Sequence, residues 1–138
     1  MIFRDYDEGD FDAVVALWEA CNLTRPWNPP SRDIALLCES RHGTLLLAEE
    51  AGEVVGSVMV GHDGHRGWMY YLAVSPARQR GGLGKALVTE AEKWLAARGV
   101  RKVQLMVRPE NTAVLRFYEA IGYGEEPIRL MTRWLKKD

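Results

Sequence analysis

Absences narrow the chain before any motif is read. Its 138 residues hold only two cysteines, Cys21 and Cys38, and three histidines, His42, His62 and His65. Neither cysteine stands in a CxxC or a Cys/His cluster. His62 and His65 share a glycine-rich loop, but a zinc site there would need further ligands. No metal is expected. Both cysteines are expected to be reduced, partly buried and structural, with Cys21 on the apolar side of a helix. Long apolar runs are lacking too, since nothing approaches the ~20 residues of a membrane span. The opening MIFRDYDEGD is acidic where a signal peptide needs an apolar core. No membrane partner is expected, and a cytoplasmic location is. Charge of one sign is also missing. Lys and Arg number 18 against 19 Asp and Glu, a net charge of -1, which gives no reason to expect nucleic acid as a partner.

What is present suits one globular domain over residues 1–138. Hydrophobic residues make up 47% and charged residues 27%, the usual balance of a packed chain. Residues 2–5 read as a short strand. Phe11, Val14, Val15, Trp18 and Cys21 recur at helical spacing. Three prolines within 24–30 break that helix, and Ile34, Leu37 and Cys38 suggest a second, shorter one. Leu45–Glu49 and Val54–Val60 are β-rich runs joined by a hairpin signal at 50–53. A polar turn over 61–67 leads to a third run, Trp68–Val74. Leu83, Leu87, Val88, Ala91, Trp94 and Leu95 mark a long helix with Gly99 past its end. Lys102–Val107 reads as a strand, Asn111 as the cap of a helix ending at Gly122, and 129–135 as a closing strand. The order βααβββαβαβ places the chain in the α/β (α+β) class, with one mixed sheet and helices on both faces. The strand–helix–strand unit from 68 to 107 is expected to be parallel and right-handed.

The stretch Leu72-Ala-Val-Ser-Pro-Ala-Arg-Gln-Arg-Gly-Gly-Leu-Gly-Lys85 runs from a strand straight into an amphipathic helix. A helix start carries free N–H groups and the positive end of the macrodipole. Glycine at 81, 82 and 84 lets an anion approach the main chain. Arg78, Arg80 and Lys85 concentrate positive charge where the dipole alone favours acids, an arrangement that makes sense with an anion between them. A Walker A loop is excluded: Gln79 occupies its first glycine and Ala86 its hydroxyl position. A dinucleotide fingerprint counted from Gly82 fails at Leu87. What remains is Gln79-x-x-Gly82-x-Gly84 behind an apolar strand. A second segment lies further along, in which Asn111 opens a helix carrying Phe117-Tyr118-Glu119 and ending Gly122-Tyr123. Together the two segments resemble the signatures of the GNAT acetyltransferases. Thr24-Arg-Pro-Trp-Asn-Pro-Pro30, Gly64-His-Arg-Gly67 and Tyr70-Tyr-Leu72 are similar to the small bacterial YpeA-like members.

The resemblance implies the GNAT fold, acetyl-CoA as cosubstrate and direct attack by a primary amine in a ternary complex. Leu72, Ala73 and Val74 would offer main-chain groups to the pantetheine arm and an N–H to the oxyanion. Gln79, Arg80, Gly81, Gly82, Leu83 and Gly84 would hold the pyrophosphate, with Lys85 adding charge. Asn111 would reach the cofactor arm, and Tyr118 would donate a proton or hydrogen bond to the leaving thiolate. Phe117 needs no role beyond packing. Related N-terminal protein acetyltransferases carry a glutamate where Met106 stands, and Met106 takes no proton, so no general base is identified. The loops 24–30 and 61–67 would frame a small-molecule or peptide amine, with Arg25, Trp27, Asn28 and Asp63 as candidates. A homodimer is compatible with the family. A non-catalytic CoA-binding or sensing protein of the same fold is the alternative, and a nucleotide-binding module of another fold is a second rival.

Overall fold

Two adjacent residues with positive φ, Ala51 (52°) and Gly52 (80°), close the first hairpin and match its twist. The computed structural model describes residues 1–136, in two compact units divided after Leu105. The first contains five strands: β1 (Ile2–Asp5), β2 (Gly43–Glu50), β3 (Glu53–His62), β4 (Gly67–Val74) and β5 (Val103–Gln104). They pair in the order β1-β2-β3-β4-β5, antiparallel throughout except for the parallel β4–β5 pair. Three helices belong to the same unit: α1 (Phe11–Ala20), α2 (Pro30–Cys38) and α3 (Leu83–Ala96). Proline at the first position of α2 loses no helical hydrogen bond there. The second unit carries α4 (Thr112–Ala120). No helix among the described residues is long and apolar enough to cross a membrane.

Side-chain alternation along the strands covers both faces of the sheet. Leu45, Leu47 and Ala73 join Val14, Leu17 and Trp18 of α1 and Ile34 of α2 in one buried cluster. Their neighbours Leu46 and Ala48 point the other way and are also buried. On that second face a Cβ at Gly56 would come within 2.8 Å of Leu87 Cδ1 in α3. Only glycine lets the helix approach that closely.

One polar group lies at the centre of this packing. Ser57 is fully buried; its Oγ accepts from Trp18 Nε1 at 2.9 Å and donates to the Tyr71 carbonyl at 2.8 Å. Opposite it β4 carries an extra residue. Ser57 pairs with Ala73, but Met59 pairs with Tyr70, so Tyr71 and Leu72 face Val58 alone. This is a β-bulge. Tyr71 has φ 52°, a left-handed conformation that a bulky side chain adopts only under constraint. Its ring stacks on Trp18 with centroids 3.8 Å apart and planes 8° from parallel.

Three expectations are corrected. The strand expected over Lys102–Val107 is only Val103–Gln104, because β4 pairs with it at Gly67 and Trp68 alone. The closing strand expected over 129–135 is absent. Leu130, Met131, Trp134 and Leu135 are exposed, and alternation alone makes no strand where no neighbour supplies a ladder. Cys38 is exposed rather than partly buried, while Cys21 is half-buried; both are free thiols.

Ser57→Ala removes both bonds of the buried hydroxyl and leaves the Trp18 N–H and the Tyr71 carbonyl without that partner. Urea unfolding is expected to show a loss of about 1–3 kcal/mol. A change within experimental error would mean that other groups satisfy the bulge.

Candidate functional site

The bulge governs the remainder of β4. Ser75 N–H donates to the Val55 carbonyl at 2.8 Å, and Ala73 pairs with Ser57. Peptide groups alternate along a strand, so Ala73 turns its N–H and C=O toward β3. Leu72 and Val74 turn theirs to the opposite edge. On that edge β5 pairs only with Gly67 and Trp68, so the end of β4 is open to an extended ligand within this unit. The Val74 carbonyl there already accepts from Cys21 Sγ at 3.2 Å and Gln79 Nε2 at 3.1 Å. Cys21, remote from the motif in sequence, is thus brought to it by α1. Burial pushes its thiol pKa up, with the bond to Val74 opposing, so it remains a protonated donor.

Beyond Val74 the chain makes one short helical turn, Pro76–Arg78, closed by Arg78 N–H to the Ser75 carbonyl at 2.7 Å. Arg80 (φ 72°) and Gly82 (φ 82°) then both take left-handed conformations. Gly82 stands at the cap position of α3 and supplies no side-chain acceptor. Ala86 N–H is the first to bond, to the Gly82 carbonyl at 3.1 Å. Among the described residues, the N–H groups of Gln79 through Lys85 have no acceptor. Such a run at a helix start is a concave anion cradle. A Cβ at Gly82 would meet nothing within 4 Å, so the cradle is open, and substitution there acts through the left-handed backbone. Of the basic side chains, Arg78 pairs with Glu50 at 3.0 Å; Arg80 and Lys85 have no such partner among the described residues.

In the second unit Asn111 Oδ1 accepts from Val114 N–H at 3.4 Å, a long helix cap. Tyr118 is buried between the edges of Phe117 (5.0 Å) and Tyr123 (5.4 Å). Burial raises its phenol to about 12, so at neutral pH it is a proton donor and never a base. Met106 is exposed.

The two loops expected to frame an acceptor divide by what their polar groups already do. Asp63 Oδ1 accepts from the N–H groups of His65 (2.9 Å) and Arg66 (2.8 Å), and Oδ2 from Trp68 Nε1 (3.1 Å). This carboxylate ties its own loop. Arg25 donates to the carbonyls of Asn22 (2.9 Å) and Thr24 (2.7 Å), closing the end of α1. Trp27 is exposed at the tip of a tight turn in which Asn28 N–H reaches the Arg25 carbonyl at 3.1 Å. Asn28 Nδ2 donates to Asp33 Oδ2 at 2.9 Å, and the Tyr71 hydroxyl donates to the same oxygen at 2.6 Å. Burial, then the bond to Asp33, pushes the Tyr71 phenol well above its usual range. Asp33 is the residue that sequence reading missed. A lone acid in the first turn of a helix reads as a response to the dipole, and only the fold brings it to Tyr71.

Comparison with known proteins bears on both units. Residues 11–123 match the model of the acetyltransferase (GNAT) family, a span that crosses the division after Leu105. An acetyltransferase of Sodalis glossinidius is 45% identical over 139 aligned residues, covering 100% of this chain and 98% of that protein. One from Pectobacterium atrosepticum is 48% identical over 123 residues, covering 89% and 87%. Among solved structures, AAC(6')-Iy in complex with a CoA-S-monomethyl-acetylneamine bisubstrate analogue superposes with a TM-score of 0.78 at 18% identity, covering 98% and 97%. At that identity the likeness is one of fold.

The bonds to Asp63, led by those from Arg66 and His65, hold its carboxyl at about 2, below the ordinary ~3.9. A depressed acid contributes fully above its unfolded value and loses the contribution as pH falls through its folded value. The loop is therefore held above about pH 4 and released toward pH 2. Amide shifts of His65 and Arg66, followed by NMR, are expected to titrate with a midpoint near 2; one near 4 would mean the bonds do not form in solution.

Proposed function

Because the chain belongs to the acetyltransferase (GNAT) family, we propose that it moves an acetyl group from acetyl-CoA directly to a primary amine, within a ternary complex. Acetyl transfer follows from that membership. The direct route and the residue roles are our reading. The observation that carries it is the row of unbonded N–H groups from Gln79 to Lys85, two of them on residues with left-handed backbones. That row suits a pyrophosphate, with the charges of Arg80 and Lys85 beside it.

In this reading the pantetheine arm lies along the open edge of β4, using the outward groups of Leu72 and Val74 rather than those of Ala73. An N–H of the same stretch receives the oxyanion of the tetrahedral intermediate. Asn111 reaches the arm. As the C–S bond breaks, Tyr118 donates its proton or hydrogen bond to the departing thiolate. Its elevated pKa supports that role, because the phenol stays loaded across the neutral range. Residues 1–138 act as one acetyltransferase domain, a view supported by a family match that spans both units. The acceptor is a small-molecule or peptide amine; the former is supported by AAC(6')-Iy, a structural neighbour solved with the bisubstrate analogue CoA-S-monomethyl-acetylneamine.

Acetyl-CoA is expected to raise the melting temperature, and ATP and NAD to leave it unchanged, because a ligand of the native state stabilises by mass action. Gly82→Val should abolish the shift by forcing φ out of the left-handed region and turning the cradle away. Equal shifts with ATP would sink the assignment.

Tyr118→Phe keeps the buried ring and removes only the donor. A fall in kcat of about 10²–10⁴-fold with acetyl-CoA affinity unchanged is expected from steady-state kinetics and calorimetry. Turnover within about threefold of wild type would make the tyrosine structural.

A further inference from the structure

Asp33 presents its two carboxylate oxygens in different states. Oδ2 accepts from the Tyr71 hydroxyl (2.6 Å) and from Asn28 Nδ2 (2.9 Å). Oδ1 has no partner among the described residues. A carboxylate can accept about four hydrogen bonds, so one side of this group is fixed and the other is free. The fixing groups are themselves rigid. Tyr71 is held in a left-handed bulge by Ser57 and stacked face to face on Trp18. Asn28 closes a tight turn through its N–H to Arg25. A flexible surface acid would need none of this.

The surroundings suit a cation. Trp27, next to Asn28, exposes 61% of its surface at the turn tip, and an exposed indole face attracts ammonium groups. Of the two cations on this segment, Arg25 and Arg32, Arg25 turns its guanidinium to two backbone carbonyls. The carboxylate also lies only a tyrosine side chain away from the backbone of Tyr71, the residue before the open edge of β4. A cation anchored at Asp33 is therefore one short alkyl chain from that edge.

We propose that Asp33, with the exposed Trp27 on the turn that carries Asn28, binds the second ammonium group of a small diamine or polyamine whose other amine is the acetyl acceptor. This rests on the acetyl-transfer reading and names the substrate class for the same site. Charge and shape both enter. A monoamine of equal length presents the same alkyl chain but leaves Asp33 Oδ1 unpaired. An uncapped peptide N-terminus carries one ammonium and gains nothing from the anchor unless a basic side chain comes after it.

The test is calorimetric titration of cadaverine and of pentylamine, which differ by one ammonium, into the protein saturated with CoA, so that no turnover occurs. Binding of CoA is measured first, and its failure would count against the acetyl-transfer reading alone. The amines are then titrated into the protein without CoA, and the Asp33 result is read the same way. Cadaverine is expected to bind about tenfold or more tightly than pentylamine. Asp33→Asn should remove the difference. Trp27→Ala, at an exposed turn where folding is safe, should weaken cadaverine severalfold and leave pentylamine unchanged. Equal affinities in the wild type, no measurable cadaverine binding, or a preference that survives in a folded Asp33→Asn variant would each overturn the proposal.

Discussion

The extra residue in β4 is the constraint on which most of the site depends. A strand that ran on regularly from Trp68 would keep pairing with β5, and its edge would be closed. That pairing stops at Trp68, ahead of the bulge at Tyr71 and Leu72, and the bulge increases the local twist of the strand end that follows. Holding a tyrosine at φ 52° costs of the order of 1–3 kcal/mol, so the surroundings must compensate. They do so through the buried Ser57 hydroxyl, which bonds the Tyr71 carbonyl on one side and the Trp18 indole on the other. The stack of Trp18 on Tyr71 then fixes the phenol. One polar atom in the core thus sets both a main-chain feature and the position of a side chain.

The anion cradle is a second consequence of backbone geometry, this time at the start of α3. Helices ordinarily begin with an acceptor side chain that caps the first free N–H groups. Gly82 cannot do that, and Arg80 before it also takes a positive φ. The result is an uncapped start ringed by cations. In isolation such a start is unfavourable, because the macrodipole and the basic side chains repel each other. An anion bound there removes the conflict, and Gln79 links the loop to the open edge by its bond to Val74. Acetyl-CoA joins a pyrophosphate to an extended arm. The open edge runs directly into the cradle along the chain, which places the two side by side as such a ligand requires.

The parts of this arrangement differ in how far sequence alone displayed them. Regular elements with strong periodicity, such as α3 and the β2–β3 hairpin, were readable because each residue there obeys a local rule. The glycine loop was readable because glycines at 81, 82 and 84 beside three cations suit little except an anion held against the main chain. The bulge left no trace in Tyr70-Tyr71-Leu72, since an inserted residue in an apolar run changes neither composition nor alternation enough to see. Asp33 was hidden for the same reason, as its partner lies 38 residues away. The closing strand failed in the opposite direction. Residues 129–135 have the composition of a strand, but a ladder needs a neighbour, and that is a tertiary fact. Asp63 and Arg25 had suitable chemistry in suitable loops. Their hydrogen bonds turn inward, to their own loops, which residue type cannot reveal.

Two tyrosines with raised pKa values then divide the electrostatic work. Tyr71 is shifted by burial and by the carboxylate it donates to, and Tyr118 by burial alone. Both stay protonated across the neutral range, so neither imposes a pH dependence of its own there. An aliphatic ammonium has a pKa near ~10.4, and only its neutral form attacks the thioester. In the proposed reaction the pH dependence in this range is therefore set by the acceptor, and in a diamine the nucleophilic nitrogen is the one that must lose its proton. Fixing the other nitrogen as an ammonium at Asp33 favours that division. Paired with the Asp33 carboxylate, the anchored ammonium is largely neutralised, so the anchor orients the diamine rather than shifting the pKa of its free amine. Met106 accepts no proton, so the attacking amine is drawn from its own neutral fraction.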